Sequence, residues 1–380
     1  MKAKSIKGKS SEEIQTALDQ SMSDGFKPTL AFVFLSVKQD RDSISTILDN
    51  QGIAIFGATT AGEFIDGNIG KESVAILLLD MPHSHFKVFL GNYGEEQPQR
   101  LAKAMAEKAL QQFKHPAFIL SLGLNVMADV GFGESIIRSL ESVTGPDVII
   151  WGGGAGDDFD FKGSHVFSNK ESLNKGILLL AIDSDKVIIK GQAIAGNKPV
   201  GTEKTITKCV DNWLFEIDNK PALDMVMKYM GLNLSKEDAE TFNPGMAIFS
   251  LSRAGGEPIL RTSGVFNMEN KSICIQGTIR EGDKIRLTLP PDFEVVEEVI
   301  NNASKIQQSE MPEAEALIMF SCIVRLRDFG PMISDEINGV KNVFQVPMAG
   351  FFTYGEFGRV ANGSNEFHNS TCSWVALKEK

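Results

Sequence analysis

The sequence contains no run approaching the roughly 18 apolar residues of a membrane-spanning helix. Its opening, MKAKSIKGKS, is followed by an acid-containing stretch where a secretory signal places its apolar core. Cysteine is scarce, and Cys209, Cys274, Cys322 and Cys372 fall into no CxxC, CxxCH or zinc-ligand spacing, which argues against a disulfide framework and a structural metal. Positive charge is short as well. The 38 basic residues against 49 acidic ones give a net charge of −11, which opposes attraction to nucleic acid or anionic lipid. These absences predict a cytoplasmic, reduced protein with no membrane insertion and no nucleic-acid partner.

What is present is ordinary for a globular chain: 42% apolar and 23% charged residues over 380 positions, enough for two lobes. A capping box, Ser10 with Glu13, opens a helix to Gly25 whose buried face is Ile14, Leu18 and Met22. A buried strand (Thr29 to Leu35), a short helix (Ile44, Ile47, Leu48) and the strand Ile53 to Phe56 follow. The order recurs with a helix from Pro98 to Phe113, a strand from Ala117 to Leu122, a helix bearing Ile136, Ile137, Leu140 and Val143, and a strand from Val148 to Trp151. It returns once more after Pro291, with Val295, Val299 and Ile306 on a helix, a strand from Ala316 to Val324, and a weakly patterned helix between Phe329 and Asn342.

Between Asp183 and Pro291 the pattern lapses. Lys186 to Ile194 and Met246 to Leu251 read as strands, Pro221 opens a helix ended by Gly231, and Ser272 to Leu289 reads as a hairpin with Glu281, Gly282 and Asp283 at its tip. The expected class is α/β, with mixed sheets flanked by helices in two lobes built from related strand-turn-strand units. The expected division is 1–210 and 211–380.

The strongest internal signal is a turn that recurs three times. Gly57, Gly62, Glu63 and Phe64 match Gly350, Gly355, Glu356 and Phe357, and align with Gly152, Asp157, Asp158 and Phe159. A carboxylate beside such a turn can receive an ammonium group while turn N–H groups hold a carboxylate, which suits an amino-acid-like ligand. The plainer alternative is that each acid satisfies the backbone of its own turn. Gly152 to Gly156 imitates a dinucleotide fingerprint, but no helical stripe follows it and two acids occupy the phosphate position. Gly131 to Ser135 precedes a helix and is a better anion candidate, although Asp129 and Glu134 can cap the same helix. His368, in FHNST beside Phe351, Phe352, Tyr354, Phe357 and Phe367, is either a ligand or metal contact or a hydrogen-bonded structural residue.

In IFGATTAGEF (Ile55 to Phe64), WGGGAGDDF (Trp151 to Phe159), FSCIVR (Phe320 to Arg325), and GFFTYGEF with FHNST (Gly350 to Thr371), the chain resembles the FIST family, named for F-box and intracellular signal transduction. The resemblance runs from Thr29 to Leu377. It implies a sensory protein that binds a small molecule such as an amino acid, performs no chemistry, and signals through a separate histidine kinase or other partner, because no output domain is legible. Some relatives bind haem and sense nitric oxide, which makes His368 a possible axial ligand. An alternative is a hydrolase or transferase using Cys322 or a turn acid. The family's FSCxGR-like stretch reads FSCIVR here, so a contact by a glycine between Cys322 and Arg325 does not carry over. The expected ligand contacts are Thr59, Thr60 and Glu63 from the first turn, Asp157 and Asp158 from the second, and Arg325, Tyr354, Glu356 and His368 from the last. Arg325 is included because a fixed guanidinium pairs well with a carboxylate.

Overall fold

Strands covered on both faces carry unbroken apolar runs, and in the computed structural model such runs form the centre of three related sheets. The structure describes residues 1–94, 97–125, 129, 131–233, 247–252, 258–361 and 363–380. The first unit comprises β1 (Ala3–Gly8), α1 (Ser11–Met22), β2 (Leu30–Leu35), α2 (Arg41–Asp49), β3 (Ala54–Thr59), the short arms β4 (Glu63–Ile65) and β5 (Asn68–Ile69), and β6 (Val74–Leu79). The second repeats it as β7 (Phe86–Asn92), α3 (Pro98–Gln112), β8 (Pro116–Gly123), α4 (Phe132–Thr144), β9 (Ile150–Gly154), β10 (Val166–Phe167), β11 (Ser172–Leu173) and β12 (Gly176–Asp183).

The third unit starts with β13 (Val187–Ala195) and is interrupted at once. The interruption holds β14 (Lys198–Val210), β15 (Trp213–Ile217), β16 (Lys220–Pro221), α5 (Ala222–Met230), β17 (Ile248–Ser252), β18 (Ile259–Asn267), β19 (Ser272–Ile275) and β20 (Lys284–Leu289). The unit then resumes with α6 (Glu294–Ser309), β21 (Ala316–Cys322), α7 (Ile323–Phe329), α8 (Ile333–Phe344), β22 (Met348–Thr353), β23 (Glu356–Gly358), β24 (Glu366–His368) and β25 (Thr371–Glu379).

Each unit builds one mixed sheet and lends its hairpin to another. β2 runs parallel to β3, β8 to β9, and β21 to β22, and each pair is flanked by antiparallel neighbours. The sheet of the first unit is extended by β10 and β11 of the second, the sheet of the second by β23 and β24 of the third, and the sheet of the third by β4 and β5 of the first. The exchange is cyclic, so no unit completes its sheet alone.

Inner faces of the three sheets share one core, in which Phe34 packs 4.6 Å from Phe351 and Phe320 lies 5.7 Å from Phe351, centroid to centroid. Outer faces are covered separately, the first by α1 and α2, the second by α3 and α4, and the third by α6, α7 and α8. The amphipathic stripes of these helices account for that. The helix expected after Phe329 is α8, which buries Ile333, Ile337, Val340 and Phe344.

The interrupting segment closes on itself. β14, β20, β17, β18, β19 and β15 are hydrogen-bonded in that order, and β15 returns to β14, giving a small antiparallel barrel as the second lobe. The hairpin expected over Ser272 to Leu289 is not formed: β19 pairs with β18 and β15, whereas β20 pairs with β14 and β17. Alternation identified both strands, but barrel closure, which no local pattern encodes, selects their partners. Met246, at the start of the expected strand there, lies outside the described residues. The expected boundary at 210/211 falls at the end of β14, with β15 and β20 on its far side. No helix among the described residues is long and apolar enough to cross a membrane.

Candidate functional site

The three recurrent turns meet backbone to backbone. Phe352 N–H donates to Gly62 C=O at 2.8 Å and Ala61 N–H to Phe352 C=O at 3.1 Å; Gly154 N–H donates to Gly355 C=O at 2.8 Å; Gly156 N–H donates to Thr59 C=O at 2.8 Å and Asp158 N–H to Thr60 C=O at 2.9 Å. The sequence-predicted residues Thr59, Thr60, Glu63, Asp157, Asp158, Tyr354 and Glu356 are thereby gathered on adjoining turns.

Glu63 and Glu356 have equivalent surroundings. Thr60 Oγ1 donates to Glu63 Oε2 at 3.0 Å, and Ser73 N–H at 2.9 Å and its hydroxyl donate to Oε1. Glu356 receives the hydroxyl of Thr353, and from Thr371 the N–H at 3.2 Å and the hydroxyl at 2.9 Å. Each acid ties its own turn to the strand that returns after it. Both are buried, and burial raises both pKa values, that of Glu356 to about 7.

Asp158 is not the third member of that set. Register pairs Gly57 with Phe167, Gly350 with Phe64 and Gly152 with Phe357, so Val166 and Phe167 hold the places of Glu63 and Phe64. A longer loop, residues 155–165, displaces the acidic pair GDDF from the repeat position. Inside that loop Asp157 accepts from Tyr354 Oη at 2.7 Å, Phe161 N–H at 3.0 Å, Lys162 N–H at 2.7 Å and Gly163 N–H at 2.8 Å. Tyr354 in turn accepts Phe159 N–H at 3.1 Å and stacks on Phe161 at 5.3 Å. Asp158, Phe159 and Phe161 all have left-handed φ, at 55°, 70° and 52°, a concentration of backbone strain typical of functional loops.

This loop stands at the carboxyl ends of the parallel strands β2 and β3, where α/β sheets characteristically receive ligands. Asp158, half-buried, accepts from the Ser36 hydroxyl; burial raises its pKa against the opposing pull of Ser36 and Lys38. Two further groups were not singled out from sequence. Arg41 Nε and His165 Nδ1 are both buried with no hydrogen-bond partner among the described residues. His165 is held below its ordinary pKa by burial and by the Arg41 charge, with Asp157 opposing. Arg41 follows the α2 cap Asp40, and His165 closes the loop before β10. Neither carried a motif.

The remaining predicted residues, Arg325 and His368, lie elsewhere in the third unit. Arg325 is fully buried, pairs with Glu336 through Nε to Oε1 at 3.1 Å, donates to the Ser370 carbonyl at 3.2 Å, and packs over Phe329 at 4.6 Å. Its guanidinium is committed within the fold. From the barrel, Arg261 reaches Glu134 of α4 and donates to the Phe367 carbonyl at 2.9 Å. The anion candidate Gly131 to Ser135 is therefore used otherwise: Glu134 takes Arg261, and a Cβ on Gly133 would lie 2.4 Å from the Phe367 ring.

His368 is 3% exposed, its Nε2 faces the Gly358 carbonyl at 3.3 Å, and burial with the Arg261 charge lowers its pKa to about 4. Haem does not fit there, since an axial ligand must present a free nitrogen to an open face. Cys322 is buried, its thiol donates to Glu356, and burial with that carboxylate drives its pKa well up. An activated nucleophile requires the reverse.

No curated protein matches the chain. A family model described as the FIST N domain matches residues 29–220, and one described as the FIST C domain matches residues 222–359. With the turns that carried the resemblance now joined in one structure, the chain belongs to the FIST family.

Proposed function

We propose that this protein is an intracellular sensory module that binds a small amino-acid-like ligand at the carboxyl ends of β2 and β3 and signals through a separate partner. FIST domains are associated with sensory signal transduction. The observation that carries the assignment is the pair Arg41 Nε and His165 Nδ1, buried with no hydrogen-bond partner among the described residues and near enough for the Arg41 charge to act on His165, which shares its loop with the half-buried Asp158, because buried polar atoms in native proteins are nearly always paired. Arg41 takes the ligand carboxylate, Asp158 its ammonium, and His165 Nδ1 a further polar group. Thr59, Thr60, Glu63, Asp157 and Tyr354 position the two turns. Arg325 and Glu356 remain committed to partners within the third unit, His368 lies near Arg261 of the barrel, and no bond is made or broken.

Thermal unfolding across a panel of amino acids and small polar metabolites tests this. A ligand at a hundred times its Kd adds about 2.7 kcal/mol, which shifts Tm by roughly 3–4 °C in a chain of this length. Arg41→Ala and Asp158→Asn abolish the shift while leaving the unliganded fold intact. A panel without any shift, or a shift that survives both substitutions, overturns the assignment.

A further inference from the structure

The barrel carries a pocket of its own. Where α5 lies across the barrel mouth, Met225, Val226, Phe249, Ile217, Ile285 and Leu287 enclose a mostly apolar space of about 160 Å³. Its roof is the irregular part of β14, where pairing with β20 slips between Val200 and Lys204 and Gly201 has φ 72°. The extra residues make a bulge, and Val200, Gly201, Thr202 and Lys204 line the pocket together with Met225 and Val226 of α5. A space near 150 Å³ holds a single benzene-sized group, and barrel mouths are recurrent ligand sites.

The rim differs in character from the interior. A wider recess lined by Lys204, Lys220, Asp224, Lys228 and Tyr229 adjoins the pocket, and the two share Lys204, Met225 and Tyr229. Lys204 is paired with Asp218 at 3.0 Å and Asp224 with Lys271 at 3.1 Å. Lys220 and Lys228 have no ion-pair partner among the described residues. A local excess of ammonium groups over an apolar slot, on a chain of net charge −11, selects an anion with an apolar tail.

From this geometry we infer a second binding site, specific for a compact aromatic or branched aliphatic carboxylate: the apolar group enters between α5 and β14, and the carboxylate remains at the mouth with Lys220 and Lys228. The site is separate from the one at β2 and β3 and does not depend on that assignment.

Isothermal titration of the full chain with phenylacetate and with its neutral counterpart 2-phenylethanol tests the inference. Phenylacetate binds about fivefold more tightly at low salt, the gap expected from two exposed charges, and the difference shrinks as salt rises. Met225→Trp fills the entrance and weakens both ligands at least about tenfold. Lys220→Glu with Lys228→Glu, on exposed positions that do not threaten folding, reduces phenylacetate to the level of the alcohol or below and leaves the alcohol unchanged. Absence of binding by either compound, or binding unaffected by Met225→Trp, removes the site. Equal affinities for acid and alcohol, or indifference to the lysine changes, removes the carboxylate assignment.

Discussion

Phe64 of the first unit lies over Gly350 of the third, as Phe167 of the second lies over Gly57 of the first: a Cβ on either glycine would come within 2.3 Å of the aromatic ring. The glycine that opens each of these turns is thus needed by a neighbouring unit, whose lent hairpin could not otherwise seat its phenylalanine. At Gly350 the same Cβ would also meet the Met319 carbonyl oxygen at 2.3 Å, whereas at Gly57 the three nearest atoms all belong to the Phe167 ring. Gly350→Ala therefore destabilises by about 3 kcal/mol and Gly57→Ala by about 1–2 kcal/mol, within the usual cost of overpacking. Adding Phe167→Leu recovers part of the Gly57→Ala loss, because the ring is the obstacle. Denaturant midpoints of the three variants check the ranking, and equal losses at both glycines would contradict it.

That relationship also shows what the sequence could convey. Gly57 and Gly350, Glu63 and Glu356, and Phe64 and Phe357 recur at identical spacing because the exchanged hairpins impose the same contacts on each, so the α/β class and the repeat were legible. The second unit misled, since GDDF mimics the spacing while residues 155–165 push the equivalent pair on to Val166 and Phe167, and Val166 carries no charge to mark it. The barrel was illegible as a barrel because closure between β14 and β15 depends on partners far apart in sequence. Arg41 and His165 escaped notice for a related reason: what distinguishes them is missing hydrogen bonds after burial, a property of the fold and not of any motif.

Arg261 and Glu134 join the barrel to the core, and both are buried. Removing one partner leaves the other as an uncompensated charge, so Glu134→Ala costs about 3–5 kcal/mol. Combining it with Arg261→Met recovers most of that loss, since two apolar groups replace two charges. A double-mutant cycle by urea denaturation measures the coupling, and additive losses would show that the pair does not hold the lobes together.

Glu356 and His368 give opposing pH dependences. Glu356 rises from its ordinary 4.5 to about 7 in the fold, so the folded state binds more protons, and stability falls as pH rises between those values. His368 drops from 6.5 to about 4, so the folded state binds fewer, and stability falls as pH drops through that window. Each slope approaches about 1.4 kcal/mol per pH unit where fully expressed, and between pH 5 and 6 the two largely cancel. Glu356→Gln exposes the histidine contribution and loses stability on acidification relative to wild type, whereas His368→Gln loses stability as pH rises from 5 toward 7. Urea unfolding of the three proteins at half-unit pH steps reads the slopes, and parallel curves would refute the linkage.

Tyr354 acts on the loop of residues 155–165 without belonging to it. Its hydroxyl donates to Asp157 Oδ1 and accepts Phe159 N–H, so it fixes one carboxylate oxygen while Lys162 and Gly163 hold the other. Tyr354→Phe removes two hydrogen bonds, leaving Asp157 Oδ1 and Phe159 N–H each one partner short, at a cost of about 1–3 kcal/mol. Asp157→Ala frees four donors and costs more. If Asp158 and His165 bind the ligand, Tyr354→Phe also weakens binding without touching it, because residues held at left-handed φ relax once their clamp is gone. Titration of the ligand found by thermal shift should then show affinity falling in parallel with local amide protection across 157–165. Lost protection with undiminished affinity would place the ligand elsewhere, since a site built from that loop cannot loosen and still bind as before.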